Sequence, residues 1–411
     1  MKKTQLRNYA KLIARVGGNI RKGQRVEIDA QLDQPGFIAM LAEECYRAGA
    51  SRVTVRWHSQ ALEKLASRFE SVKELANVPS WEEMRLKERA EELPVTIKIL
   101  SADPDGMNGA DRDKLLLAQV ARSAITKPYT DAMTNRYQWC VAAVPSAAWA
   151  KKIFPEDRSN TAVERLWELI LQVSRADGKD PLTDWMWHNR ALREKCDKLN
   201  ALGLKELEYR SSNGTRLRVG LIEQAQFISG KKCTVAGNYF NPNIPTEECF
   251  TTPARGRAEG IVYAVKPLSY GGELIEDFWL RFEGGRAVAC GAKKNAALLE
   301  KILSMDEGAS YLGECALVPY DSPINNTGIL FYNTLFDENA CCHLALGRGY
   351  SNTIVGFERY THSDFAAMGV NDSSIHVDFM IGSEDLEIVG VTKEGARVPV
   401  FERGNWSARL R

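Results

Sequence analysis

From residue 3 to about residue 200, apolar residues recur at helical spacing and are interrupted by short β-branched runs. That alternation predicts an α/β layer. Leu6, Tyr9, Ala10, Leu12, Ile13 and Val16 form one face of a helix over residues 5–16, closed by Gly17 and Gly18. A strand at 25–29, a helix at 36–48 and a second strand at 51–57 compose a β-α-β unit. Further strands are predicted at 95–100 and 139–144, with helices at 62–75, 81–91, 111–123, 161–176 and 183–202. The expectation for this half is an open, mostly parallel sheet.

Past residue 202 the pattern changes to shorter β runs with turn residues between them, which predicts two domains, 1–202 and 203–411, the second of mixed α+β structure. Runs at 207–209 and 217–221 flank Ser212-Asn213-Gly214-Thr215, and Asn-Gly between strands signals a hairpin. Other strands are expected at 260–265, 275–282, 287–290, 314–318, 354–357 and 375–381, with one helix at 295–303.

The last of these strands carries chemistry. His376 and Asp378 stand two residues apart and share a face, while Ile375, Val377, Phe379 and Ile381 form the opposite, core-facing row. Imidazole and carboxylate together suit Zn, Co or Mn when further ligands arrive from elsewhere. A surface ion pair or a satisfied buried histidine is the ordinary alternative.

Composition narrows the partners. At 411 residues and 44% apolar, the chain can bury two cores. Lys plus Arg number 54 against 53 for Asp plus Glu, so no net field favours nucleic acid or an anionic membrane. The opening MKKTQLRNYAKLIARVGG has no apolar h-region, and no run of 18 apolar residues occurs, so neither a signal peptide nor a membrane span is expected. Nine cysteines without C-x-x-C spacing point to a reducing compartment, hence a cytoplasmic protein. The glycine fingerprints of nucleotide-binding turns, G-x-G-x-x-G and G-x-x-x-x-G-K-[ST], are missing from the N-terminal half. His58 and His188 have no metal-like neighbour and read as structural.

Three further segments hold polar residues that solvation alone does not explain. In NPNIPTEECFTTP, prolines stiffen a loop bearing Glu247 and Glu248. In YLGECALVP, Glu314 sits among apolar residues and needs a partner. NACCHLALGRGY places His343 in an apolar run and Tyr350 past two glycines. Singly, Glu248 reads as a solvated loop residue, Glu314 as half of a salt bridge and His343 as a core histidine. Jointly, three carboxylates and a bridging hydroxide match the charge of two divalent cations, with neutral His343 and His376 completing the shell.

Those segments, in this order, carry PTEE, LGE, FDENA followed by CHLALG, and IHVDFMIGS. Together with KPLSY at Lys266 to Tyr270, DSPI at Asp321 to Ile324, GILFYNTLFDEN at Gly328 to Asn339 and GNW at Gly404 to Trp406, they closely resemble the metallo-aminopeptidase family of aminopeptidases T and S. The resemblance implies an N-terminal α/β domain and a C-terminal catalytic domain, two divalent metal ions per subunit (Zn, Co, Mn or Mg), a homodimer, and removal of N-terminal residues from peptides with a free N-terminus. It implies Glu248, Glu314, His343, His376 and Asp378 as metal ligands and Tyr350 as the catalytic tyrosine, with Glu247 outside the ligand set. Glu314 would also shuttle a proton from the attacking water to the leaving amine. Cys249, Cys315 and Cys342 are expected to point away from the metals, and Cys341 to share the face of His343, where a thiol would confer oxidation sensitivity. The rival readings are a dinuclear phosphoesterase, for which Arg348 supplies a basic neighbour, and a non-catalytic metal- or peptide-binding protein.

Overall fold

The structure, a computed structural model, describes residues 2–411. The chain divides into two compact units, Met1–Trp185 with Lys231–Ile244, and Met186–Gly230 with Pro245–Arg411. The division therefore falls inside the helix Pro181–Ala201, ahead of the texture change near residue 202, and each unit takes a segment from the other's stretch of sequence.

The first unit is built on a parallel four-stranded sheet ordered Arg52–His58, Arg25–Gln31, Val95–Leu100, Trp139–Ala143. Val26, Ile28 and Ala30 alternate with half-buried polar residues, and Val95, Ile97 and Ile99 alternate with half-buried Thr96 and exposed Lys98 on the neighbouring strand. The expected first helix is present as Lys3–Leu12, continued by a π turn at Ile13–Gly17. Two helices differ from expectation. The one predicted over 62–75 is broken into Gln60–Phe69 and Val72–Ala76, because the Ser71 hydroxyl accepts from Glu74 N and starts a new N-terminus. The one predicted to stop at 123 runs on to Met133 through Pro128. A short helix, Ala147–Ile153, was not predicted, since seven residues give too few turns for a period.

The second unit holds two large antiparallel sheets and a two-stranded hairpin, Leu268–Tyr270 with Glu273–Ile275. The larger has eight strands, ordered Arg286–Gly291, Trp279–Glu283, Pro253–Tyr263, Arg216–Leu221, Leu204–Arg210, Glu387–Thr392, Arg397–Glu402, Asn405–Trp406. The Asn-Gly hairpin forms within it, with Gly214 at φ +103°, a backbone conformation that needs glycine. The smaller has five strands, ordered His376–Met380, His343–Gly347, Leu312–Leu317, Cys249–Thr251, Ile228–Ser229. One continuous apolar core takes Leu207, Val219, Leu280 and Ile388 from the larger sheet and Leu317, Leu344, Leu346, Val377 and Phe379 from the smaller.

Two predicted strands do not form as such. Residues 354–357 run between two short 3-10 turns, Ser351–Thr353 and Phe357–Arg359, with Ile354 buried and Gly356 at φ +72° breaking the extended run. The run 275–282 is interrupted at Asp277, φ +49°, which separates a small hairpin strand, Glu273–Ile275, from Trp279–Glu283.

Candidate metal centre

The smaller sheet has two faces because side chains alternate along each strand. Cys315, Leu317, Leu344, Leu346, Val377 and Phe379 enter the core. The residues between them, Glu314, His343, His376 and Asp378, therefore share the other face. Register decides how close they come. Glu314 lies opposite Ala345, and Ala345 lies opposite Asp378 on the next strand. A methyl group between two carboxylates leaves room above the sheet. His376 lies opposite Gly347, whose φ is +93° and whose Cβ, were there one, would meet the Ile375 carbonyl at 2.2 Å. Glycine is what lets these strands approach there. Glu248 arrives from the side as the residue before the strand Cys249–Thr251.

The five expected ligands are thus gathered. Donor atoms of Glu248, Glu314 and His343 all lie within 4.8 Å of one another, as do those of Glu314, His376 and Asp378. Glu314 belongs to both groups. His376 Nε2 is 3.1 Å from Glu314 Oε2 and 3.1 Å from Asp378 Oδ1, while His343 Nε2 is 3.5 Å from Glu248 Oε2. Both imidazoles turn their other nitrogen to a backbone carbonyl: His376 Nδ1 to Arg348 O at 2.8 Å, His343 Nδ1 to Cys341 O at 3.3 Å. A carbonyl only accepts, so Nδ1 is the donor in each ring and Nε2 is the atom presented to the carboxylates. That outer hydrogen bond is the arrangement that orients metal-binding histidines. Mixed nitrogen and oxygen donors, three of them anionic, fit one or two divalent cations.

The electrostatics of the bare cluster lead to the same place. Burial raises the pKa of Glu314, even against its His376 contact, with the Glu248 charge adding to the rise. Burial would lower both histidines, but Glu248 and Asp378 push His343 up to about 10, and Asp378 and Glu314 push His376 well above its ordinary value. Asp378 is held below the usual carboxylate range by His376 despite its burial. Negative charge is in excess, and protons on the imidazoles offset it when no cation does.

Sequence reasoning missed Glu338. Burial raises its pKa well above normal, and the charges that raise it further are Asp378, Glu248 and Glu314, so it belongs to the same cluster. It sits in the turn Glu338–Ala340, five residues before His343. The signal available was a second acid, beside Asp337, in the FDENA segment just ahead of CCHLALG. Glu247 is buried but belongs to neither donor group; its Oε2 lies 4.0 Å from His188 Nε2.

Tyr350 sits beside the cluster, its hydroxyl 3.3 Å from His376 Nε2 and its ring against Phe250 at 5.5 Å. Burial and then the Glu314 and Asp378 charges raise its pKa well above 10, so it is a phenol at neutral pH. Cys249, Cys315 and Cys342 lie in the core on the far face. Cys341 is fully buried, and burial pushes its thiol up to about 11.

Fold and donor set together are those of a metalloprotease. The chain belongs to the thermophilic metalloprotease family M29, whose model matches residues 2–406. It is 40% identical to aminopeptidase T of Thermus thermophilus over 405 residues, 98% of each chain, and 38% identical to aminopeptidase AmpS of Bacillus subtilis over 404 residues, again 98% of each. The solved structure of wild-type AmpT from Thermus thermophilus superposes with a TM-score of 0.90 at 39% identity, covering 99% of this chain and 100% of that one. No helix among the described residues is long and apolar enough to cross a membrane.

Proposed function

We propose that this chain is a dinuclear metallo-aminopeptidase that removes the N-terminal residue of peptides. The observation that carries the reading is Glu314, a carboxylate common to two donor groups on one sheet face. Glu248, Glu314 and His343 would hold one divalent cation, and Glu314, His376 and Asp378 the other. When bound, such a pair supplies a Lewis acid for the scissile carbonyl and a water acidic enough to act at neutral pH.

The chain's own residues account for the rest. Tyr350, a phenol held beside His376, donates a hydrogen bond to the oxyanion that develops on the scissile carbonyl. Glu314 would also take the proton of the attacking water and return it to the leaving amine. Glu338 adds a further acid to the cluster, and burial beside Asp378 and Glu248 raises its proton affinity. The outer bonds to the Arg348 and Cys341 carbonyls fix both imidazole rings before substrate arrives.

Zn, Co, Mn and Mg all tolerate these donors, and the choice follows availability. The same reading gives a cytoplasmic homodimer. The nine cysteines, all unbridged, suit a reducing compartment. Exposed Leu62, Phe69, Trp81, Met84 and Leu117 on helices of the first unit offer apolar area for self-association. Elemental analysis of the chelated and reloaded protein tests the dinuclear claim. Two equivalents per chain are expected, falling to one or none in His343→Ala and His376→Ala; a single equivalent in the parent would reject it.

A further inference from the structure

Glu248 differs from the other four ligands in being the one outside the ladder of strand pairs. Downstream it is anchored, since Cys249, Phe250 and Thr251 pair with Leu317, Ala316 and Cys315. Upstream it is anchored at the peptide unit joining Thr246 to Glu247. The oxygen of that unit, Thr246 O, lies 2.7 Å from Nε2 of His188. Its N–H, on Glu247, donates to Oδ1 of Asn339 at 2.8 Å. One peptide plane is therefore gripped on both edges by side chains from distant parts of the sequence. Because the carbonyl can only accept, His188 carries its proton on Nε2 in this contact.

Both grips are buried. Asn339 and Thr246 have no exposed surface, and the His188 side chain is 9% exposed. Behind the peptide, Gly230 leaves the space that the Thr246 side chain fills, since a Cβ on Gly230 would fall 2.2 Å from Thr246 Cγ2. Asn339 does more than accept: its amide nitrogen donates to Leu335 O at 3.1 Å and to Glu338 Oε1 at 3.3 Å. A single amide thus bonds the segment that delivers Glu248 and the carboxylate of Glu338, fixing the distance between two acids that come from separate loops.

We infer that His188 and Asn339 are positioning residues for the metal centre, which clamp the Thr246–Glu247 peptide and thereby aim Glu248 at its cation. The inference rests on the proposed metal-binding role of Glu248. Neither side chain touches a reacting atom. Their effect is preorganisation: with the peptide free to rotate, Glu248 must be ordered when the cation binds, and the affinity falls by that cost. Outer-shell partners of this kind typically alter metal affinity by about 10–100-fold. His188, which the sequence marks as an isolated structural histidine, acquires a function through a backbone carbonyl two residues from a ligand.

The test is cobalt(II) affinity of the full chain after chelation, measured by competition with a chromophoric chelator, so that no turnover is needed. His188→Ala and Asn339→Leu are each expected to bind cobalt about tenfold or more weakly. His188→Gln, whose amide N–H reaches the same carbonyl, is expected to recover most of the loss. Since both residues hold one peptide, the double variant should be no more than about twofold weaker than the worse single variant, short of the product of the two effects. Folded variants that bind cobalt within twofold of the parent would overturn the inference, as would His188→Gln binding no better than His188→Ala. Should Asn339→Leu fail to fold, the comparison of Ala with Gln at position 188 decides alone. A parent chain that binds no cobalt would overturn both this inference and the proposed function, whereas a parent that binds it with unaltered variants would overturn the inference only.

Discussion

The hydroxyl of Tyr350 lies 3.3 Å from Nε2 of His376, and the two rings pack with centroids 4.8 Å apart. The phenol is held there by its own backbone: Tyr350 N donates to Thr252 Oγ1 at 3.1 Å, and the Thr252 hydroxyl donates back to Tyr350 O at 3.0 Å. A donor fixed this way beside the candidate ligands costs little reorganisation at the moment of reaction. Tyr350→Phe is expected to keep its metal content and lose about 10²–10³ in kcat, the usual effect of removing one oxyanion donor. Steady-state kinetics alongside elemental analysis checks this, and an unchanged kcat would remove Tyr350 from the mechanism.

Removing the metals should loosen the second unit. Without cations, Glu248, Glu314, Glu338 and Asp378 face one another, and protons on His343, on His376 and on the acids whose pKa is raised must offset their charge. Ligands that bind the native state alone stabilise it by mass action, so chelation is expected to lower the melting temperature, and reloading to restore it. Calorimetry with and without chelator measures the difference. A transition indifferent to chelator would contradict an integrated metal centre.

Gly347→Ala is expected to damage stability and metal binding together. The left-handed backbone costs an alanine about 1–2 kcal/mol, and its Cβ would also collide with the Ile375 carbonyl at 2.2 Å. Relief requires the strand bearing His376 to move away from the one bearing His343. Denaturant unfolding and cobalt titration of the same variant should both shift. A fall in stability with full cobalt affinity would show that the register of these strands does not set the site.

The pH dependence of stability has an identifiable source near the site. Asp306 accepts from Ser373 Oγ at 2.8 Å and from Ser374 N at 2.7 Å, just ahead of the strand that carries His376. Burial would raise its pKa, but these bonds, led by the Ser374 hydroxyl, hold it below the ordinary value. A carboxyl whose pKa is lower folded than unfolded stabilises above the unfolded value, near 3.9, and that stabilisation is lost as pH falls through the folded one. Asp306→Asn is therefore expected to cost about 1 kcal/mol at pH 7, a modest figure for a half-exposed group, and progressively less below about pH 4. Urea midpoints of parent and variant at pH 7 and pH 3.5 measure it; a difference that grew toward acid would contradict the assignment.

The layers of the first unit were legible because its helices are amphipathic and its strands are short and β-branched between them. In the second unit, legibility followed the motifs more than the periodicity. The strand His343–Gly347 is buried throughout, so no alternation of polar and apolar residues marks it. Residues 354–357 are apolar for a different reason: Ile354 plugs a small cluster with Ile222 and Val370 and makes only an isolated bridge to Ala225. Glu338 stayed hidden because a carboxylate in a turn looks solvated until the sheet beside it is placed. The clamp on Glu248 was out of reach altogether, since His188, Thr246 and Asn339 meet only through tertiary packing.

The most direct test of the account is hydrolysis of leucine p-nitroanilide and of its N-acetylated twin by one preparation, chelated and then reloaded with Zn, Co or Mn. Cleavage of the free-amine substrate alone, abolished by chelation and restored by metal, is the predicted result. Equal cleavage of both substrates, or cleavage of neither by metal-loaded protein, would contradict an aminopeptidase that selects a free N-terminus at a metal centre.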